Sequence, residues 1–110
     1  MKKYIRSSAE DLFDLDDDIL MDIASDPETD IATLTQLASS PDPYVRIELA
    51  RNPALPDELK RVLAHDPNED VRVELTYFVD LPEDVINLLS NDRSKYVRNE
   101  MRNNIEGGSI

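Results

Sequence analysis

Apolar residues in the middle of the chain recur three and four positions apart, which is the spacing of a helix face rather than of a strand. Val45 and Leu49 form one such pair, and Leu59, Val62 and Leu63 form a second group. A segment that contains two prolines separates the two groups. The pattern therefore predicts two short amphipathic helices joined by a turn.

Prolines and acids define where these helices begin and end. Pro53 disfavours a helical conformation in the residue before it, so the first helix is expected to end near Arg51. Pro56 suits the first position of the second helix, where no amide partner is lost. Asp57 and Glu58 follow it and place negative charge at the positive end of the helix dipole.

The same arrangement recurs every 26 residues. Val45 is repeated as Val71 and Val97, and the alignment continues without a gap through the helices on either side. A fixed period of this length is typical of repeat proteins, in which each unit buries its apolar face against the next. Three further sets share the register: Arg46, Arg72, Arg98; Glu48, Glu74, Glu100; and Leu37, Leu63, Leu89.

Two-turn helices are marginal alone, so they are expected to stack. We predict an all-α fold, a short right-handed α-solenoid of helical hairpins in a single domain over residues 1–110. Within it, residues 1–18 form an N-terminal capping helix that begins near Ser8, residues 19–104 form the repeats, and residues 105–110 form a frayed tail.

Residues 45–67 read Val-Arg-x-Glu-Leu-Ala-x-Asn-Pro-x-Leu-Pro-x-Glu-Leu-x-x-x-Leu-Ala-x-Asp-Pro. This pattern resembles the leucine-rich repeat variant, a HEAT-like helical repeat of bacterial proteins. The resemblance implies stacked short helices and a role in macromolecular interaction. Some members of that family carry a cysteine-ligated iron–sulfur cluster, which this chain cannot hold because it has no cysteine.

Composition narrows the function further. The formal net charge is −12, divided as −8 over residues 1–42, −5 over 43–91 and +1 over 92–110. Direct binding to nucleic acid is not expected, because an acidic surface repels phosphates. We also expect no membrane association, since no apolar run reaches spanning length and acids stand where a signal peptide needs apolar residues. A cytoplasmic location is expected.

The residues that the repeat does not dictate are the best candidates for contact with a partner. They occupy aligned positions beside the inward-facing valines and are expected to form a surface ridge, in which aromatic residues favour contact. Phe78 and Val79 are expected either to join that contact or to fill a gap between repeats. The candidates are Tyr44, Ile47, Arg51, Val73, Tyr77 and Tyr96, together with Asp14 and Asp17 at the acidic end.

Other polar residues have simpler explanations. Arg46, Arg72 and Arg98 are expected to pair with loop aspartates and with carbonyl groups at helix ends, since they occur in every repeat. An EF-hand starting at Asp14 is excluded because its sixth position, where glycine is required, is Ile19. His65, the sole histidine, falls in a polar turn without catalytic companions. No catalytic, cofactor or metal site is predicted.

We therefore expect a non-enzymatic protein-interaction module whose partner is a protein with a basic surface. The alternative is an acidic inhibitor, of a phage or mobile-element type, that imitates nucleic acid and occupies the groove of a nucleic-acid-binding protein. An enzyme related to HEAT-like DNA glycosylases is a third interpretation, which the absence of tryptophan and the negative charge disfavour. The oligomeric state is left open.

Overall fold

A computed structural model describes residues 12–107, and all regular secondary structure in that range is helical. The prediction of an all-α protein is confirmed for this part of the chain. Seven helices lie wholly within it: α1 Asp17–Ser25, α2 Ile31–Leu37, α3 Pro43–Ala50, α4 Asp57–Leu63, α5 Glu69–Leu75, α6 Glu83–Ser90 and α7 Lys95–Gly107.

The chain divides into two compact units, one through Pro56 and the other from Asp57 onward. We call them the N-terminal unit, which contains α1 to α3, and the C-terminal unit, which contains α4 to α7. Each has its own buried apolar residues. The prediction of one solenoid domain over residues 1–110 stays a prediction.

In the N-terminal unit, α1 and α3 pack against each other, and α2 packs on both. The buried side chains come from the apolar stripe of each helix. Removal of this area from water supplies the stability that helices of seven to nine residues lack alone. This core includes Leu20, Ile23, Ala24, Leu34, Leu37, Val45, Leu49 and Ala50.

In the C-terminal unit, α7 packs against both α5 and α6, and α4 packs against α5. Its core includes Leu59, Leu63, Val71, Leu75, Val85, Leu89, Val97 and Met101. Val71 and Val97, like Val45 in the other unit, are 0% exposed, so the valine that defines the period is buried at each occurrence.

Side-chain caps explain where several helices start. The Asp30 carboxylate accepts from the Thr33 amide at 2.8 Å, and Asn68 accepts from the Asp70 amide at 2.7 Å. Each cap pairs an amide that has no partner within the helix. Pro82 precedes α6 with an extended ψ of 148°, so the predicted first helical position is wrong by one residue there, and α4 likewise begins just after Pro56.

The predicted inward orientation of Val62 is wrong, because this side chain is 53% exposed; Leu88, its equivalent one period later on α6, is 37% exposed. Of the two alternatives for Val79, its 98% exposure excludes the filling of a gap, and contact with a partner stays a prediction. α7 continues to Gly107, two residues past the predicted start of the frayed tail at Ile105. Most of the predicted capping helix, and residues 108–110, lie outside the described residues.

The buried face of α4 includes Lys60, which is 7% exposed. Its ammonium group lies 4.5 Å from the centre of the Phe78 ring and pairs with the Asp57 carboxylate at 3.3 Å. It also donates to the Asp80 carbonyl at 3.2 Å. The charge of this buried lysine thus remains paired, and the Phe78 ring lies beneath its ammonium group.

Each of the three arginines that follow the aligned valines makes the same type of contact. Its Nη1 atom donates to the carbonyl oxygen six residues earlier, at 2.6, 2.6 and 2.7 Å for Arg46, Arg72 and Arg98. Arg72 additionally forms a two-bond ion pair with Asp92, at 2.8 and 3.0 Å, and both side chains are at most 5% exposed. The predicted pairing of arginines with carbonyl groups and a loop aspartate is confirmed.

A buried asparagine makes a second recurring contact. Asn52 is 0% exposed, and its Nδ2 atom donates to the carbonyl oxygens of Ala24 at 2.8 Å and Asp26 at 3.0 Å. Its Oδ1 atom accepts from the Ala54 amide at 2.8 Å. In the C-terminal unit, Asn104 donates to the carbonyl oxygens at the same separations, 28 and 26 residues before it. These bonds satisfy carbonyl groups at the ends of the preceding helices.

Candidate partner-binding surface

In the C-terminal unit, two stripes of exposed and half-buried side chains lie on the neighbouring helices α5 and α7. Each stripe follows the four-then-three spacing of one helix face. The α5 stripe continues into the turn after the helix. Together the stripes form what we call the acidic–aromatic surface, which consists of Asp70, Glu74, Tyr77, Tyr96, Glu100 and Asn103.

A hydrogen bond links the two stripes. The Tyr77 hydroxyl donates to Oε1 of Glu100 at 3.0 Å, and these residues are 23 positions apart in the chain. Tyr77 is 51% exposed and Tyr96 is 45% exposed, so both rings remain accessible to a partner. Glu100 lies one helical turn after Tyr96, which brings a ring and a carboxylate side by side on α7.

The environment of Tyr77 raises its pKa to about 12, chiefly through burial and then through the hydrogen bond to Glu100. The charges of Glu100 and Glu74, and Tyr96 nearby, act in the same direction. Negative charge opposes formation of a phenolate and favours a cation in the same place. The acidic–aromatic surface thus has a negative potential at its centre.

Ultraviolet titration should detect this phenol among the four tyrosines. We expect one tyrosine to ionise near pH 12 in the wild-type protein, and expect this late step to vanish in Tyr77→Phe. Because the native pKa lies above the unfolded value of about 10, the associated stability is complete below about pH 10 and is lost as pH rises through 12.

Two further variants test whether the late ionisation step arises from Tyr77 and its contact with Glu100. Glu100→Gln removes the acceptor charge, so the late step should move toward lower pH. Tyr44→Phe, which changes a tyrosine in the other unit, should leave the step in place. A late step that persists in Tyr77→Phe would show that the high pKa belongs to another tyrosine.

The N-terminal unit carries corresponding stripes on α1 and α3, with one difference in charge. Tyr44 is 66% exposed, and Glu48 one turn later pairs with Arg51 at 2.9 Å. The carboxylate on α3 is therefore neutralised by a cation of its own stripe. We call this set the N-terminal stripe surface; it consists of Asp18, Asp22, Ser25, Tyr44, Glu48 and Arg51.

Two of the predicted contact residues do not lie openly on the surface. Val73 is only 3% exposed, because α5 turns this side chain toward the packed face, and its assignment to the exposed ridge is wrong. Ile47 is half-buried. Tyr44, Arg51, Tyr77 and Tyr96 are exposed, as expected.

The glutamates are surface residues that the sequence did not indicate as candidates for contact with a partner. Glu48, Glu74 and Glu100 recur with the same period as the arginines two positions earlier, so the sequence alone indicates a structural role for both sets. The structure shows different contacts for the two sets. The arginines donate to backbone carbonyl groups, whereas Glu100 accepts a hydrogen bond from the Tyr77 hydroxyl. The signal that was available is their spacing of four residues from positions 44, 70 and 96.

At the start of the described chain, Asp14 and Asp17 are both exposed. A hydrogen bond between the side chains of Asp17 and Asp42 raises the pKa of Asp17, and desolvation and the neighbouring negative charges add to the effect. Between residues 12 and 107, no group of three or more ligating side chains is arranged to hold a metal ion. His65 is exposed in the turn after α4.

The part of the chain that the structure describes is thus an all-α protein whose exposed helix stripes combine tyrosines with carboxylates. Comparison of the chain with protein-family models, with curated proteins and with solved structures finds no match. None of the helices in the described range is both long enough and apolar enough to cross a bilayer.

Proposed function

We propose that this chain is a non-enzymatic protein-interaction module, built as a short right-handed α-solenoid of 26-residue hairpins similar to the leucine-rich repeat variant. It binds another protein, one with a basic surface, through the exposed stripes of the first helix of each hairpin. The observation that carries this proposal is the exposure of tyrosine and acid at aligned stripe positions, beside valines that are fully buried.

The recurring buried contacts support the repeat architecture. The arginine bond to the carbonyl six residues earlier occurs at three positions spaced by 26 residues. The asparagine bonds to carbonyls 28 and 26 residues earlier occur once in each unit, at Asn52 and Asn104. A stack of equivalent hairpins requires such contacts to repeat with the period, since each hairpin meets only its neighbours.

Binding by such a module uses a surface that is present before the partner arrives. Tyrosine is suited to it, because a rigid ring gives a large contact area and loses little conformational freedom. Carboxylates at the rim accelerate the encounter with a basic partner and exclude acidic ones. The exposed rings of Tyr44, Tyr77 and Tyr96 are the anchors in this mechanism.

Site-specific photo-crosslinking in cells of the native host tests this function. A benzophenone amino acid replaces either Tyr44 or Tyr96 on the stripes, or Val62 on α4 as a control that is also exposed. We expect a discrete crosslinked protein from each stripe position and none from the control. No crosslink from either stripe, or an identical pattern from all three positions, contradicts binding through these helices.

A second candidate function is the imitation of nucleic acid, with the partner's nucleic-acid groove as the target. It is favoured by a run of exposed acids at the start of the described chain: Asp14, Asp16, Asp17, Asp18 and Asp22. Converting all five to asparagine should abolish such binding, and raising the salt concentration should weaken it steeply. Binding that survives both changes argues for the stripe mechanism instead.

A further inference from the structure

We propose that the acidic–aromatic surface of the C-terminal unit binds a basic peptide segment, with an arginine side chain seated against the Tyr96 ring and the Glu100 carboxylate. This inference rests on the proposed interaction function and adds the chemistry of the partner and the residues that receive it.

The first argument is charge. The six side chains of the acidic–aromatic surface include three carboxylates and no cation, which gives a formal charge of −3. The corresponding six residues of the N-terminal stripe surface also include three carboxylates, but Arg51 reduces the charge to −2. This set of six side chains therefore favours a cation more strongly than the corresponding set in the N-terminal unit does.

The second argument is the partner of the central carboxylate. On α3, Glu48 already holds a guanidinium at 2.9 Å, so an incoming arginine has to displace Arg51. In the corresponding position of α7 the residue is Asn103, which carries no charge, and Glu100 instead accepts a hydrogen bond from the Tyr77 hydroxyl at 3.0 Å. A neutral donor orients the carboxylate without neutralising it. Glu100 thus remains a negative charge in a fixed position.

The third argument is shape. The Tyr96 ring is 45% exposed and lies one turn before Glu100 on the same face of α7. A planar guanidinium stacks on an aromatic ring and donates two parallel hydrogen bonds to a carboxylate, whereas an ammonium is a compact point charge. The juxtaposed ring and carboxylate thus favour arginine over lysine.

Fluorescence anisotropy with labelled peptides tests the proposal. The probes are ten-residue peptides that alternate glycine with arginine, lysine or glutamate, with blocked termini and the wild-type protein in low salt. We expect binding in the order arginine, then lysine, with no binding of the glutamate peptide. In an amide-resolved nuclear magnetic resonance titration, the arginine peptide should shift α5 and α7 most.

Two variants test whether peptide binding depends on this site or only on the overall negative charge of the protein. Tyr96→Ala combined with Glu100→Gln should weaken arginine-peptide binding about tenfold, the change that corresponds to roughly 1.4 kcal/mol. Glu58→Gln removes the same formal charge from an exposed position on α4 and should change the affinity less than twofold. Circular dichroism spectra establish whether both variants keep the helical content of the wild type.

Three results would overturn the proposal: equal weakening by Glu58→Gln, equal binding of the acidic peptide, or resonance shifts that avoid α5 and α7. The wild-type titration decides the matter even where the double variant fails to fold. The interaction function fails separately, through the photo-crosslinking result. If a partner is crosslinked but the arginine peptide does not bind, the interaction function is retained and only the arginine site is rejected.

Discussion

Arg72→Ala is expected to lower the free energy of unfolding by about 3–5 kcal/mol, the usual cost of leaving one member of a buried ion pair alone. Arg72 is 2% exposed, and its guanidinium holds Asp92 through two bonds. It also donates to the Asp66 carbonyl at 2.6 Å. Its removal leaves a carboxylate and a carbonyl without this donor in the C-terminal core. Urea unfolding followed by circular dichroism measures the loss.

Arg61→Ala is the matched control. Arg61 pairs with Asp84 at 2.8 Å, but the two side chains are 48% and 62% exposed, so water replaces the lost partner. We expect unfolding of this variant to be almost unchanged. Equal losses in the two variants would mean that the Arg72 pair contributes no more than a surface contact.

Acid sensitivity provides an independent check on the same pair. Burial alone would raise the pKa of Asp92, but hydrogen bonds from Arg72 and from the Ser94 amide outweigh burial and lower it. The resulting stability is present above the unfolded pKa of about 3.9 and is lost as pH falls through the lower native value. Asp92→Asn should therefore reduce the dependence of stability on pH in that acidic window.

Leu63→Ala is expected to destabilise the protein by about 2–5 kcal/mol, because it removes a fully buried side chain and leaves a cavity. The whole free energy of unfolding of a domain is only about 5–15 kcal/mol, so this loss should shift the unfolding midpoint strongly. Urea unfolding of the variant and the wild type at the same protein concentration gives the difference.

Val62→Ala is the control at the adjacent position. Val62 is 53% exposed, so its truncation should change the free energy of unfolding by no more than about 0.5 kcal/mol. The sequence pattern treats the two residues alike, and the structure does not. If Val62→Ala were as damaging as Leu63→Ala, the orientation of α4 would be wrong.

Helix positions were predictable from sequence because they depend on local chemistry. The boundary near Arg51 follows from Pro53, and α3 ends at Ala50. The burial of Val45, Val71 and Val97 follows from their four-residue spacing to the next apolar side chain. These features need no knowledge of what each helix packs against.

Orientation within a short helix was not predictable in the same way. α4 has seven residues, or about two turns, so several choices of inward face fit the pattern equally well. The structure buries Lys60, whose ammonium group lies over the Phe78 ring and pairs with Asp57, and it exposes Val62. A pattern of apolar residues predicts that a lysine is exposed, so it cannot predict that Lys60 is buried and Val62 is exposed.

The candidate surface was likewise only partly predictable from the sequence. The sequence determined which residue types recur every 26 positions, and hence that tyrosines and glutamates share a face with helical spacing. Only the tertiary structure decided that Tyr77 bonds to Glu100 and that Val73 is buried. The reason is physical: helical spacing is a local property of the backbone, whereas a contact between helices depends on the packing that brings distant residues together.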